Sequence, residues 1–299
     1  MTKEKKKKLT NEQLGITAPW MAKKLSKDIK ETIVTVDREN ARSIVKSYYD
    51  LQEYRKASAS RIRSHVERKS THPHEVIYWI YKQSALMELE MKKALDIYSM
   101  TSPVGRWSRQ IPGIGPVLSA GLLAYIDITK APTVGHIWSY AGLDPTAKWE
   151  EGKKRPWNAD LKTLCWKIGE SFIKVSGRDD DIYGKIYLER KEQENIKNES
   201  LMFKDQADAK AKIVGKNTEA YKYYSVGKLP PAHITSRAQR YATKLFLAHW
   251  HHVAYEMHYG VAPPKPYIIE HGGHTHFIAP PFWDEGSKEA LLLSAVTKE

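Results

Sequence analysis

Apolar positions recur at helical spacing along most of this chain. From Asp37 to Lys69 there is no Gly or Pro, and Ala41, Ile44, Val45, Tyr48, Leu51, Ala59, Ile62 and Val66 mark one face. Ser70-Thr71-His72-Pro73 breaks that pattern. A second stripe then follows in steps of three and four: Ile77, Ile80, Ser84, Met87, Met91, Ala94 and Tyr98. Two long amphipathic helices joined by a short break predict an antiparallel hairpin of coiled-coil type. Its outer face would carry Arg55, Lys56, Arg61, Arg63, Arg68 and Lys69, either a solvated surface or a track for an anionic partner.

Beyond Thr101-Ser102-Pro103 the elements shorten. Val104–Gln110 and Pro116–Tyr125 are predicted helices flanking Ile111-Pro112-Gly113-Ile114-Gly115. Gly135–Pro145 contains a short helix ended by glycine. Asn158 is placed to cap a helix whose stripe is Leu161, Leu164, Cys165, Ile168, Phe172 and Val175. Residues 177–230 are polar, and read either as a charged helical insertion or as a partly disordered connector. A last strong helix runs from about Thr235 to Tyr259, before a Pro/His/aromatic segment. No alternating strand pattern stands out, so the expected fold class is mainly α, a helical hairpin followed by a second helical domain. The expected divisions are a basic, flexible tail (1–36), the hairpin (37–100), a helical domain (101–176), the insertion (177–230) and a closing segment (231–299).

Charge points to the partner. Lys and Arg number 48 against 35 Asp and Glu, a net +13. Such an excess calls for an anion, either nucleic acid or an acidic membrane. No apolar run approaches the roughly 18–20 residues of a membrane span. Lys3 to Lys8 is nearly all lysine without an apolar run behind it, so it reads as a solubilising tail or a phosphate-seeking arm and not as a signal peptide. The one cysteine, Cys165, excludes an internal disulfide framework and fits a reducing cytoplasm.

The 111–115 run carries the chemistry. Glycines around one apolar residue let a backbone approach a phosphate closely, and the amides of the next helix point at it. This is the pattern of a helix-hairpin-helix. The candidate nucleic-acid-binding residues are Gly113, Ile114, Gly115 and Val117, with Arg106 and Arg109 beside them. Lys148, Lys153, Lys154, Arg155 and Lys162 join them from a segment that interleaves cations with Trp149 and Trp157, a combination suited to backbone contact and base stacking. Contacts of this kind grip a backbone without reading bases.

Catalytic candidates are thinner. His271, His274 and His276, with His249, His251, His252 and His258, invite a metal reading, but their spacing matches no standard zinc motif. Asp179-Asp180-Asp181 is the one acidic cluster, at an expected helix end. No cofactor is called for; Mg or Zn enters only with an enzymatic reading.

Residues 104–176 resemble the C-terminal domain of the IS110/IS116/IS902 group of transposases. The resemblance rests on Ile111-Pro-Gly-Ile-Gly-Pro-Val117, on Tyr140-Ala-Gly-Leu-Asp-Pro145, on a basic Gly-containing loop and on a helix near 158–175. The 238–259 helix is similar to that family's closing helix and the 37–100 hairpin to its coiled coil, so the likeness extends over roughly two-thirds of the chain. The arrangement also looks like phage-encoded, transposase-like relatives. The resemblance implies DNA binding in recombination, replication or genome organisation, in the cytoplasm of a bacterial host. A metal-dependent nuclease or strand-transfer enzyme and a structured-RNA binder are the alternatives. Two departures bear on catalysis. No RuvC-like acidic domain is expected before the hairpin, and the slot of the family's catalytic serine reads Glu150-Glu151-Gly152. The expected molecule is therefore a non-catalytic, weakly sequence-specific DNA-binding protein without a membrane partner, a homodimer or higher homo-oligomer through its hairpin.

Overall fold

The computed structural model describes residues 24–69, 72–264 and 277–296. Among them the chain is helical, with twelve α-helices, and it divides into two compact units, one up to Met100 and one from Thr101.

In the first unit a short helix α1 (Lys27–Thr32) and a 3-10 turn (Ile33–Thr35) precede α2 (Arg38–Lys69) and α3 (Glu75–Met100). The long helices run antiparallel. Gln52 and Arg55 of α2 meet Glu88 of α3, while Asp37 and Arg38, earlier in the chain, lie near Tyr98, later in it. The interface stripe differs from the apolar one. Met87 is about half exposed, and Glu88 and Glu90 face inward. The Arg55 guanidinium holds Glu88, and Lys30 and Lys93 hold Glu90 at 3.3 and 2.7 Å. These pairs make buried carboxylates tolerable and remove Arg55 from the basic outer face.

The second unit is organised around α11 (Pro231–Tyr259), a helix of about 43 Å at 1.5 Å per residue. Packed on it are α4 (Pro103–Gln110), α6 (Val134–Tyr140), α7 (Ala159–Val175) and α8 (Tyr183–Glu199); α5 (Pro116–Tyr125) packs on α4 and α7. Small residues set these contacts. Ala238 and Ala242 are fully buried on α11, and a Cβ on Gly121 would stand 2.7 Å from Leu164 Cδ2. The core is aromatic: Phe246 packs at 5.4 Å from Phe172 and 5.3 Å from Tyr183, edge to face, and is stacked at 6.1 Å with Trp107.

The polar stretch 177–230 is largely helical. α8 lies along α11, tied to it by the buried Glu194, which pairs with Arg190 and with Arg237 of α11. Asn198 clamps the chain at Leu229, donating to its carbonyl at 2.9 Å and accepting from its amide at 2.8 Å. Two short helices, α9 (Lys204–Ala211) and α10 (Glu219–Tyr224), enclose a small cluster of Ala207, Tyr224, Leu229 and Ile234. The last helix, α12 (Glu285–Val296), packs on α4. No helix among the described residues is long and apolar enough to cross a membrane.

Candidate nucleic-acid interface

The turn between α4 and α5 is built as its residues dictate. Pro116 opens α5 at its first position, where no amide hydrogen is needed. Gly113 has φ +91°, a region that favours glycine, and its carbonyl accepts the Ser171 hydroxyl at 2.6 Å. Gly115 is different. Its φ of −87° suits any residue, and a Cβ there would meet nothing within 4 Å. Ile114 and Val117 are buried, so neither offers a side chain to a ligand.

The amide of Ile114 is used inside the turn, on Ile111 O at 3.0 Å. Those of Gly115, Val117 and Leu118 make no hydrogen bond among the described residues, and no side chain caps the helix. Free donors at the positive end of a helix dipole form an anion site. They open beside a shallow cleft of ≈ 420 Å³ lined by residues 109–115 with Val175, Arg178 and Asp180. Arg109 lies there, donating to Ile114 O at 3.2 Å.

Arg106 is placed elsewhere. It is buried on α4, and its guanidinium donates to Leu291 O of α12 at 3.0 and 3.2 Å. Burial lowers its pKa. It joins α4 to α12 from the interior, a placement that its nearness to the turn in sequence does not indicate.

Lys148, Lys153, Lys154 and Arg155 are all exposed on the loop before α7. Lys153 is paired with Glu150 at 2.6 Å, and Arg155 lies 5.1 Å from the exposed Trp149 ring, whose indole N–H bonds Lys153 O. Trp157 packs against Gly142, with Lys162 Nζ 4.1 Å from its ring centroid. Asn158 caps α7 as its type predicts, accepting from Leu161 N at 2.8 Å.

The residues singled out for catalysis have structural partners. Asp180 is paired with Arg178, and Asp181 accepts the Gly184 amide at 3.0 Å at the start of α8. Burial pushes the Cys165 thiol up to about 12, so it is an inert core residue. His249 and His251 are buried and bonded to Ile278 O and Ala131 O, each at 2.8 Å. No group of three His, Cys, Asp or Glu able to hold a metal occurs among the described residues. His271, His274 and His276 lie outside them, as does the lysine tail.

Fold and turn together define a protein that is helical throughout its described residues, with uncapped amides of α5 beside a glycine turn. Residues 108–156 match the model of the Transposase IS116/IS110/IS902 family, so the segment holding that turn is transposase-related. The match spans about a sixth of the chain, narrower than the 104–176 resemblance and far short of two-thirds. No curated protein and no solved structure matches the chain.

Proposed function

We propose that the protein binds nucleic acid, duplex DNA foremost, by gripping backbone phosphate at the turn of residues 113–118 without cutting it. In this reading the turn is a helix-hairpin-helix, and the protein serves recombination, replication or genome organisation of a phage or mobile element in a bacterial cytoplasm. One observation carries the reading: the fold does not need glycine at 115, yet glycine leaves open the approach to the free amides of Gly115, Val117 and Leu118. Arg109, the net charge of +13 and the family match support it. The structural duties of Asp180, Asp181, His249 and Cys165 support a non-catalytic role. The first unit exposes Tyr54, Trp79 and Met87, apolar surface that supports a homodimer.

The test is titration of labelled duplex DNA with the wild type and with Gly115→Val. Wild-type affinity should fall steeply with salt and depend little on sequence. The variant should melt as the wild type does but bind roughly tenfold or more weakly, since charge-assisted contacts to the amides are lost. Unchanged binding by Gly115→Val would overturn the assignment of the turn. DNA cleavage in Mg²⁺, Mn²⁺ or Zn²⁺ that stops on chelation would overturn the non-cutting role. A strong preference for structured RNA would replace DNA as the ligand.

A further inference from the structure

The second unit holds another concavity, of ≈ 560 Å³, between the loop after α6, the first half of α7, α9 and α11. Its size falls in the range of small-ligand sites. Lys162, Lys210, His233 and Arg240 converge on it, beside the indoles of Trp157 and Trp166. Neither Lys162, Lys210 nor Arg240 makes an ion pair among the described residues, whereas Lys153, Arg178, Arg190 and Arg237 of the same unit do. The acid at the rim, Asp144, is held by the amide and hydroxyl of Thr146 at 2.9 and 2.7 Å.

The cations press on one another. Burial, then the charges of Arg240 and Arg155, lowers the pKa of Lys162. Burial, then Arg237, Arg240 and Lys210, does the same to His233. Like charge concentrated in excess over the one acid at the rim costs free energy that a bound anion would relieve. Trp166 lies alongside with 59% of its surface exposed, an unusual position for an indole that has no side-chain partner among the described residues.

We propose that this cleft holds a phosphodiester of an unpaired nucleic-acid strand, with a neighbouring base stacked on Trp166. A paired base keeps its faces within the duplex stack, so a projecting indole beside a cationic pocket suits a single strand. The proposal rests on the nucleic-acid reading above but on other residues. Lys162 stands nine residues before Ser171, which holds the glycine turn, so the two sites are about 14 Å apart along α7.

The test compares labelled oligothymidylate with a duplex of equal length, by fluorescence anisotropy on the full chain. Trp166→Ala should weaken the single strand roughly five- to a hundredfold, the range for a lost stacking platform. Lys210→Gln with Arg240→Gln should lower the slope of log affinity against log salt by about 1.4 for the single strand. Duplex affinity should stay within about twofold in both, and all three side chains are exposed, so melting temperatures should hold.

Single-strand affinity unchanged in both variants would overturn the proposal. So would thymidine monophosphate displacing the strand at concentrations comparable to the strand's own, because the site would then be one for a free nucleotide. Equal losses for strand and duplex would also overturn it. Gly115→Val run in parallel separates the two readings. If it spares duplex binding while Trp166→Ala impairs the strand, the glycine turn is refuted and the cleft upheld; the reverse pattern refutes the cleft alone.

Discussion

His249 ties the stability of the second unit to pH. Its ring is buried on α11, where Nδ1 lies 2.6 Å from the Tyr183 hydroxyl and Nε2 lies 2.8 Å from Ile278 O. A carbonyl can only accept, so Nε2 carries the proton of the neutral ring and Tyr183 donates to Nδ1. Burial pulls the His249 pKa down from 6.5 to about 4. The unfolded chain therefore takes a proton near pH 6.5 that the folded chain refuses until near pH 4. Through that window the unfolded state binds more protons, so stability falls as pH falls. A displacement from 6.5 to about 4 corresponds to about 3 kcal/mol, fully lost only below the folded pKa. That is a large share of the roughly 5–15 kcal/mol that holds a domain together. Burial lowers His251 in the same direction, which adds to the slope. Urea unfolding at pH 7.5, 6 and 5, followed by tryptophan fluorescence, reads the effect; seven of the nine tryptophans lie beyond Thr101. His249→Gln should be less stable than the wild type at pH 7.5, and the gap should narrow as pH falls. Parallel pH profiles for the two proteins would refute the reasoning.

The two glycines of the α4–α5 turn should behave differently. Gly113→Ala forces φ +91° on an alanine whose Cβ stands 3.3 Å from Ser171 Oγ and Val175 Cγ2, and should cost about 1–3 kcal/mol in urea melts. Gly115→Ala should change stability by less than about 1 kcal/mol, because restricting the unfolded chain offsets the poorer N-cap. Glu194→Ala strands Arg190 and Arg237 between α8 and α11 and should cost about 2–3 kcal/mol. That lies below the range for wholly buried pairs, since both guanidinium groups keep some solvent. A cost under half a kcal/mol would show that α8 is held by its aromatic contacts alone.

Where each helix buries an apolar stripe, sequence and structure coincide. The cap at Asn158, the stripe from Leu161 to Phe172 and the ends of α4 and α5 could be read from spacing and from Gly, Pro and Asn. What spacing concealed was polar burial. In α8, Glu194 and Asn198 occupy interior positions, so a packed helix reads as a charged insertion. In α3, Glu88 sits at the interface and Met87 turns outward, because Arg55 stands opposite. Arg106 is a similar case: it adjoins the glycine turn in sequence, and only tertiary packing reveals Leu291 O as its partner. The cationic cleft was hidden more deeply. Lys162, Lys210 and Arg240 stand far apart in the chain and share no motif, and only the folding of α9 and α11 against α7 brings them together.

That convergence bears on what the family match can transfer. The matched segment, residues 108–156, takes its geometry from helices outside it. Ser171 of α7 holds the Gly113 carbonyl, and Leu164 fills the space that Gly121 leaves. Asn158 donates its amide to Tyr140 O at 2.9 Å, and the Trp138 indole donates to Lys244 O of α11 at 3.1 Å. The segment is thus one wall of a larger core. A residue within it can be compared with the transposase family position by position, but the pocket it faces belongs to α7, α9 and α11. Chemistry grafted on those helices is free to differ from that of any protein sharing the turn. In the proposed reading the glycine turn grips phosphate, and the helices that support it decide what else is held.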